Sequence, residues 1–193
     1  IWESLDGIPV VRVRGWHTAL GRPAWQMGLY LKWLRWGLAE YAARHGTPDL
    51  LHAMISIPAG WACAQLEGPL SRRIVLTEET GPFSLVMHDT ANAAFVREAM
   101  SKAAMVVTVS EHARADIRAH GIHRAIEVCG NPVAREFCEA AVSERVQEGP
   151  IQALYVGRLV NDKGILEMAE AAAEIAPVMS RCHNKSDMEW HFA

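Results

Sequence analysis

Apolar residues recur along this chain with two alternating spacings. Between residues 24 and 45 they return every three or four positions, which predicts a long amphipathic helix, and Gly46 follows where a helix C-cap belongs. Shorter, β-branched runs lie between segments of this kind and predict strands. The whole pattern predicts helices at 24–45, 58–66, 90–102, 111–120 and 163–176, and strands at 8–13, 49–56, 73–78, 105–109, 125–129, 151–156 and 189–193.

The alternation of strand and helix signals indicates the fold class. Strands separated by single helices are typical of right-handed β-α-β units, so we expect an α/β fold with a Rossmann-like parallel sheet and helices on both faces. Between Val133 and Gly149 the sequence turns polar and predicts no strand, which favours an interdomain connection. We expect residues 1–146 to form one Rossmann-like domain and residues 147–193 to be the first β-α-β portion of a second.

The composition is that of a globular protein and argues against nucleic-acid-binding and membrane-spanning proteins. With 193 residues, 50% of them hydrophobic and 21% charged, the chain has an ordinary globular composition. Its net charge of −3 and scattered basic residues provide no surface for nucleic acid, so we expect no nucleic-acid partner. No apolar run approaches the ~20 residues of a spanning helix. The four cysteines are widely spaced and lack a Cys-x-x-Cys pair, so we expect reduced thiols in a cytoplasmic protein.

Residues 157–164, which read GRLVNDKG, carry the clearest chemistry. They lie between a predicted strand and a predicted helix. Gly157 and Gly164 let the backbone approach a ligand, the helix N-terminus adds about half a positive charge, and Arg158 and Lys163 add full ones. The segment therefore predicts a phosphate or diphosphate site. The alternative is a solvated turn whose cations simply lie near the start of a helix.

Four further stretches accompany this segment in a fixed order. They are 48–53 (PDLLHA), 77–84 (TEETGPFS), 106–111 (VVTVSE) and 128–133 (VCGNPV). Together with 157–164, this array resembles glycosyltransferase family 4, the retaining GT-B enzymes, in which a Gly-Arg-Leu-x-x-x-Lys-Gly segment holds the diphosphate of a nucleotide sugar. The resemblance implies that Arg158 and Lys163 stabilise the leaving diphosphate and that Gly157 and Gly164 contact the substrate. It implies no metal, because the two cations substitute for one, and no cofactor, because the nucleoside diphosphate sugar is a substrate.

The family resemblance also assigns roles at the 77–84 stretch. The family usually reads TEHTGPFS there, and the histidine contacts the donor sugar near the reacting carbon. Glu79 replaces that histidine in this chain, so we predict Glu79 as a catalytic sugar contact, with a structural role or lost activity as alternatives. Further substrate contacts implied by the resemblance are Gly81, Pro82, Ser110, Glu111 and Asn131. A helix cap at Ser110 and a tight turn at Asn131 are the simpler alternatives.

Other titratable residues have simpler explanations. His88 and Asp89 are adjacent and could suggest a general acid and base, but Asp89 or Thr90 is a natural N-cap for the next helix. The histidines at 112, 120 and 123 raise the question of a metal, yet no Cys or carboxylate completes a ligand spacing. We therefore predict an N-cap and no metal site.

The helix at 24–45 carries an aromatic and basic set of side chains. The set consists of Trp25, Lys32, Trp33, Arg35 and Trp36. Such a surface could lie on an anionic membrane, where lipid-linked acceptors are held, although core packing is the commoner fate of such residues. Peripheral contact with the inner face of the membrane is thus an open alternative for a cytoplasmic protein.

The family resemblance implies a glycosyltransferase of hexosyltransferase type that acts in polysaccharide biosynthesis. It would transfer a sugar with retention from a nucleoside diphosphate sugar to a hydroxyl of a glycan or lipid-linked acceptor, and residues 1–146 would be the acceptor-side domain. The family's two Glu residues separated by seven positions would lie beyond Ala193, so we expect a fragment, truncated at both ends and inactive alone. A non-catalytic GT-B-like binding module, which Glu79 would favour, and a nucleotide-sugar epimerase of GT-B-like fold are the alternatives.

Overall fold

The structure, a computed structural model, describes residues 2–14, 23–139, 152–157, 159–182 and 189–192. The chain divides into two compact units, Ile1–Val133 and Ala134–Ala193. This division precedes the expected boundary at residue 146. Residues 140–151 lie outside the described ranges, so the position of the domain boundary stays a prediction.

The first unit begins with a β-hairpin. Strands β1 (Trp2–Leu5) and β2 (Ile8–Val11) pair antiparallel. Asp6 and Gly7 join them with φ angles of 50° and 83°, and a two-residue hairpin turn favours Asp-Gly because both positions need positive φ. The strand predicted at 8–13 is confirmed over its first four residues, but its partner β1 was not predicted.

A parallel sheet forms the centre of the first unit. Its strands, in spatial order, are β3 (Leu51–Met54), β4 (Ile74–Glu78), β5 (Met105–Thr108) and β6 (Glu127–Val128). All three neighbouring pairs run parallel. The predicted α/β fold with a Rossmann-like parallel sheet is therefore confirmed. The last strand is shorter than predicted, since only two residues of 125–129 join the sheet.

Helices connect these strands along the chain. They are α1 (Pro23–His45), α2 (Trp61–Ala64), α3 (Ser84–Met87), α4 (Thr90–Lys102) and α5 (Glu111–Ala119), with a 3₁₀ turn at Pro69–Arg72. The helix predicted at 58–66 is instead a π-helical turn, Ser56–Gly60, followed by the short α2. The backbone of Ile57 is extended, with φ −132° and ψ 134°, as the residue before a proline favours, and this interrupts the segment as a continuous helix.

The core of the first unit lies between the sheet and its helices. Apolar side chains from β4, α4, β5 and α5 meet there; among them are Leu76, Val96, Met100, Val106 and Ile117. Cys63 of α2 is also buried, and this burial raises the pKa of its thiol to about 11. Cys63, Cys129 and Cys138 are free thiols, and the reduced state of the four cysteines stays a prediction.

The second unit contains another β-α-β arrangement. Its elements are α6 (Arg135–Glu139), β7 (Gln152–Tyr155), a 3₁₀ turn at Asn161–Lys163, α7 (Ile165–Cys182) and β8 (Glu189–Phe192). Strands β7 and β8 pair in parallel, as a helical crossover requires. The strands predicted at 151–156 and 189–193 are thus confirmed. The predicted helix begins two residues later than Lys163 and extends past residue 176.

Candidate functional site at the carboxyl edge of the sheet

The carboxyl ends of β3, β4 and β5 bring several predicted site residues to one edge of the sheet. Ligands of open α/β sheets bind at this edge, because the loops that follow the strands diverge there. Glu79, Gly81 and Pro82 follow β4, and Ser110 and Glu111 follow β5. Since β4 and β5 are neighbours, these five residues lie at adjacent strand ends.

The residue that organises this edge is Glu78, the last residue of β4. Its side chain is buried, with 1% of its surface exposed. Carboxylate oxygen Oε2 accepts hydrogen bonds from the backbone N–H of Ser56 at 2.9 Å and from the Ser56 hydroxyl. Oxygen Oε1 accepts from the backbone N–H of Thr80 at 2.9 Å. One buried carboxylate thus links the end of β3 to the turn after β4.

The turn at residues 79–82 follows Glu78 directly. Glu79, Gly81 and Pro82 are all exposed, whereas Phe83 is buried. The backbone N–H of Phe83 donates to Asp116 Oδ2 of α5 at 2.9 Å. The predicted sugar contact Glu79 is therefore free to meet a ligand from solvent, and its role there stays a prediction.

The end of β3 is held against β4 in an unusual conformation. Ile55 has a φ of 66°, and its N–H donates to the Thr77 carbonyl at 2.7 Å. Positive φ is costly for a β-branched residue, so the surrounding contacts must impose it. The positive φ of Ile55 places Ser56 within hydrogen-bonding distance of the Glu78 carboxylate. At the same edge, His52 Nε2 lies 2.7 Å from Thr77 Oγ1.

The end of β5 shows the cap that the sequence predicted. Ser110 Oγ accepts from the backbone N–H of Ala113 at 3.1 Å and so caps α5. Glu111 is exposed and pairs with Arg114 on the same helix. The simpler interpretation of Ser110 is confirmed, while substrate contact by Ser110 or Glu111 stays a prediction.

Asn131 and Asp89 complete the predicted set in the first unit. Asn131 is exposed after β6, and its substrate contact is untested. Asp89 Oδ1 accepts from the backbone N–H of Asn92 at 2.8 Å, which confirms it as the N-cap of α4. This capping bond explains Asp89 without a general acid or base role.

The second unit carries the glycine turn. Lys163 ends the 3₁₀ turn and is exposed, and Gly164 has a φ of 69° immediately before α7. A Cβ on Gly157 would lie 3.0 Å from the Tyr155 hydroxyl, so a larger residue would not fit without movement. Arg158 lies outside the described residues. Its contact with a diphosphate therefore stays a prediction, like those of Gly157, Lys163 and Gly164.

The described residues contain neither a cluster of metal-binding side chains nor a helix that could span a membrane. The His, Cys, Asp and Glu side chains in these ranges form no group of three that could hold a metal ion. Among the helices of the same ranges, none combines the length and apolar character needed to cross a bilayer.

Sequence reasoning missed Glu78, Ser56 and Asp116. Glu79 was predicted as a site residue because it departs from the family motif, whereas the buried carboxylate belongs to the preceding residue, Glu78. A signal was present: in a buried central strand that reads IVLTE, a terminal Glu requires hydrogen-bond donors. No spacing rule identifies those donors, because Ser56 is 22 residues away.

Comparison with known proteins gives the family. A relative from Bacillus subtilis (strain 168), provisionally named teichuronic acid biosynthesis glycosyltransferase TuaC, is 30% identical over an alignment 133 residues long, which covers 64% of this chain and 34% of the relative. The aligned part of the chain thus covers about a third of the relative's length. The profile of Glycosyltransferase Family 4 matches residues 5–137. Because this match covers more than half of the chain, the protein belongs to glycosyltransferase family 4.

Proposed function

We propose that the protein transfers a sugar, with retention, from a nucleoside diphosphate sugar to a hydroxyl of a glycan or lipid-linked acceptor. Family membership supports glycosyl transfer, and the relative's name suggests polysaccharide biosynthesis. The identity of the donor, the identity of the acceptor and the retention of configuration are proposed in addition to glycosyl transfer itself. The chain would contribute the acceptor-side domain and the beginning of the donor-side domain.

The observation that carries the proposal is the exposed Lys163 beside the start of α7. A cation near a helix N-terminus is disfavoured by the helix dipole, and Lys163 would be stabilised there if an anion were bound. The following helix spans 18 residues, so its N-terminus carries a substantial partial charge. This arrangement suits a diphosphate.

The proposed mechanism depends on stabilising the leaving group. As the glycosidic bond to the donor phosphate breaks, negative charge accumulates on the nucleoside diphosphate. Arg158, Lys163 and the N-terminus of α7 would stabilise this charge, which is why no metal ion is proposed. In the first unit, the exposed carboxylate of Glu79 could accept hydrogen bonds from sugar hydroxyls.

The proposal is tested by removing each cation from the full-length protein. Arg158→Ala and Lys163→Ala should each lower turnover by about 100-fold or more, because the charge develops most fully in the transition state. The assay measures the released nucleoside diphosphate together with the transferred sugar. Arg97→Ala, which removes an exposed cation from α4, is the matched control and should retain activity. Near-normal turnover in both site variants would contradict the diphosphate role.

A binding module without turnover is the second candidate, since Glu79 stands where the family motif has histidine. A carboxylate close to a diphosphate is electrostatically unfavourable. Donor binding without release of nucleoside diphosphate would support the module. Conversion of the donor to another nucleotide sugar without transfer would support the epimerase.

Peripheral membrane contact is a further part of the proposal. Trp25, Lys32 and Trp36 are separated by seven and four residues, so they lie on one face of α1, and all three are exposed. An exposed set of two aromatic rings and a cation suits the surface of an anionic bilayer. Absence of co-flotation of the full-length protein with anionic vesicles would exclude this contact.

A further inference from the structure

Both ends of the turn at residues 79–82 are held by carboxylates. Glu78 Oε1 accepts from the backbone N–H of Thr80, and Asp116 Oδ2 accepts from the backbone N–H of Phe83, each at 2.9 Å. Because both donors are main-chain groups, these bonds fix the path of the backbone. The fixed backbone therefore sets the positions of the exposed residues Glu79, Gly81 and Pro82.

Three further hydrogen bonds hold Glu78, two at its carboxylate and one at its main-chain carbonyl. Glu78 Oε2 accepts from the N–H and hydroxyl of Ser56, and the Thr108 hydroxyl donates to the Glu78 carbonyl at 3.0 Å. Both Ser56 and Thr108 are fully buried. The carboxylate therefore has little freedom to move, and neither has the Thr80 amide that it accepts from.

The second carboxylate is fixed from α5. Asp116 Oδ1 lies 3.3 Å from His120 Nδ1, one turn further along the helix. The His120 ring packs edge-on against the Phe83 ring, with centroids 5.6 Å apart. Asp116 thus accepts from the Phe83 amide while its helical neighbour packs against the Phe83 side chain.

The main effect of these two carboxylates is on the conformation of the turn at 79–82, and their effect on the stability of the fold is smaller. A buried carboxylate costs desolvation, and well-packed apolar residues often replace such groups without loss of stability. An exposed turn can also satisfy its amides with water. Two carboxylates that fix the main chain of a turn with exposed outer residues are better explained by a need for a defined turn geometry.

We propose that Glu78 and Asp116 are positioning residues that hold the turn at 79–82 in the orientation that receives the donor sugar. This inference rests on the proposed function. Neither carboxylate would touch the substrate; each would act through the backbone of Thr80 or Phe83.

Glu78→Gln tests the first bond with almost no change in volume. The three groups around the carboxylate all donate in this structure, whereas glutamine offers one acceptor oxygen and one donating NH₂. Either the Ser56 amide or the Thr80 amide must then face a second donor. We expect the more accessible Thr80 amide to lose its partner and to exchange hydrogen at least 10-fold faster.

The exchange experiment includes two internal comparisons. Glu79→Gln makes the same chemical change at the next residue, whose side chain is exposed, and should leave exchange at Thr80 unchanged. The core amide of Val106 reports the stability of the whole unit. If Thr80 is no faster in Glu78→Gln than in wild type, or accelerates only in parallel with Val106, the positioning role is wrong.

Turnover by the full-length protein tests the functional half of the inference. Glu78→Gln and Asp116→Ala should each lower kcat by about 10- to 100-fold with less than a threefold change in donor KM, because a displaced contact affects positioning for reaction more than binding. The double variant should lose less than the product of the two single losses, since both variants release one turn. Glu127→Gln, an exposed position on β6, should retain wild-type kcat.

The outcomes separate this inference from the proposed function. If Arg158→Ala abolishes turnover while Glu78→Gln and Asp116→Ala retain normal kcat, glycosyl transfer holds and the positioning role is wrong. If one of these variants fails to fold, the other still decides, because Asp116 lies on the surface side of α5 and is a quarter exposed. A normal kcat in whichever variant folds would overturn the inference. Normal turnover in Arg158→Ala would contradict the diphosphate mechanism but not the positioning role of Glu78 and Asp116.

Discussion

The turn after β4 and the glycine turn before α7 both follow a strand and precede a helix, yet they are held in different ways. Two side chains hold the first turn: the adjacent Glu78, which is itself bound by Ser56 22 residues away, and Asp116, which lies 33 residues from the Phe83 amide it accepts from. Local backbone bonds define the second: Lys163 N–H donates to the Val160 carbonyl, and Gly164 N–H to the Asn161 carbonyl, both at 3.0 Å. The first turn therefore depends on the fold around it, while the second is largely encoded in its own residues.

The same contrast appears in the burial of the strands. Leu76 of β4 is 0% exposed and contacts helices of the first unit, whereas Leu154 of β7 is 65% exposed. In the described residues of the second unit, Val156, Leu159 and Leu166 are also more than half exposed. The packing of the first unit should therefore dominate its stability, and the described packing of the second should contribute little.

Truncating the matched strand leucines should produce the largest effect. Leu76→Ala removes a fully buried side chain and should lower the free energy of unfolding by about 2–5 kcal/mol. Leu154→Ala should change it by less than about 0.5 kcal/mol, because most of that side chain already meets water. Urea unfolding of the 193-residue chain measures both variants. Equal losses would abolish the contrast and would show that residues outside the described ranges bury Leu154.

Local signals in the sequence were sufficient for much of the fold. The alternation of strands and helices predicted the parallel sheet, and Ser110 and Asp89 were recognised as caps because a cap involves neighbours in sequence. The sequence pattern also marked the glycine turn, whose structure is set by adjacent residues.

What the sequence did not reveal depends on contacts over long sequence distances. Glu78 lies two residues from Thr80 but reaches Ser56 only because β3 and β4 are neighbours in the sheet. Asp116 finds Phe83 only once α5 has packed. The hairpin partner β1 was missed for a different reason: its four residues give too short a pattern, although the Asp-Gly turn after it was a usable signal.

Two glycines provide a second test of the contrast. A Cβ on Gly60 would lie 2.9 Å from Leu76 Cδ1 and 3.2 Å from the Ile55 carbonyl oxygen, so Gly60→Ala should cost about 1–3 kcal/mol through crowding. A Cβ on Gly164 would make an ordinary contact with Glu167 Oε2 at 3.8 Å, but φ is 69°, so Gly164→Ala should cost about 1–2 kcal/mol through backbone strain. Both losses are differences in the unfolding free energy measured in urea.

Asparagine at the same positions distinguishes crowding from strain. Asn tolerates positive φ better than Ala, so Gly164→Asn should cost less than Gly164→Ala. Gly60→Asn should cost more than Gly60→Ala, because the longer side chain enlarges the clash. Gly28→Ala is the control, since a Cβ there meets nothing within 4 Å in α1 and should stabilise by about 0.5–1 kcal/mol. The same order of costs at positions 60 and 164 would show that one mechanism acts at both.

The smallest effect concerns Glu98 of α4, which pairs with Lys102 on the same helix and accepts a hydrogen bond from Trp61 of α2. Glu98 accepts from Lys102 Nζ at 2.7 Å and from Trp61 Nε1 at 2.8 Å. Hydrogen bonding from Lys102 foremost, then from the Gln65 side chain, and to a smaller extent from Trp61, lowers the pKa of Glu98 from 4.5 to about 2. A pKa lower in the folded than in the unfolded state stabilises the fold above pH 4.5, and this contribution disappears as the pH falls towards 2. Since more than a third of the Glu98 side chain is exposed, solvent screening should limit the contribution to less than about 1 kcal/mol.

Glu98→Gln should therefore lower stability at pH 7 and match wild type near pH 2, as measured by urea midpoints at several pH values. Lys102→Met removes the donor with the largest effect on this pKa and should reduce the same pH-dependent part, while the contributions of Gln65 and Trp61 remain. A gap between wild type and Glu98→Gln that stays constant with pH would mean that lost packing, not the carboxylate charge, causes it. In that case the first unit would owe its stability to burial alone, and the contrast with the second unit would rest on Leu76 and its neighbours rather than on polar contacts between elements.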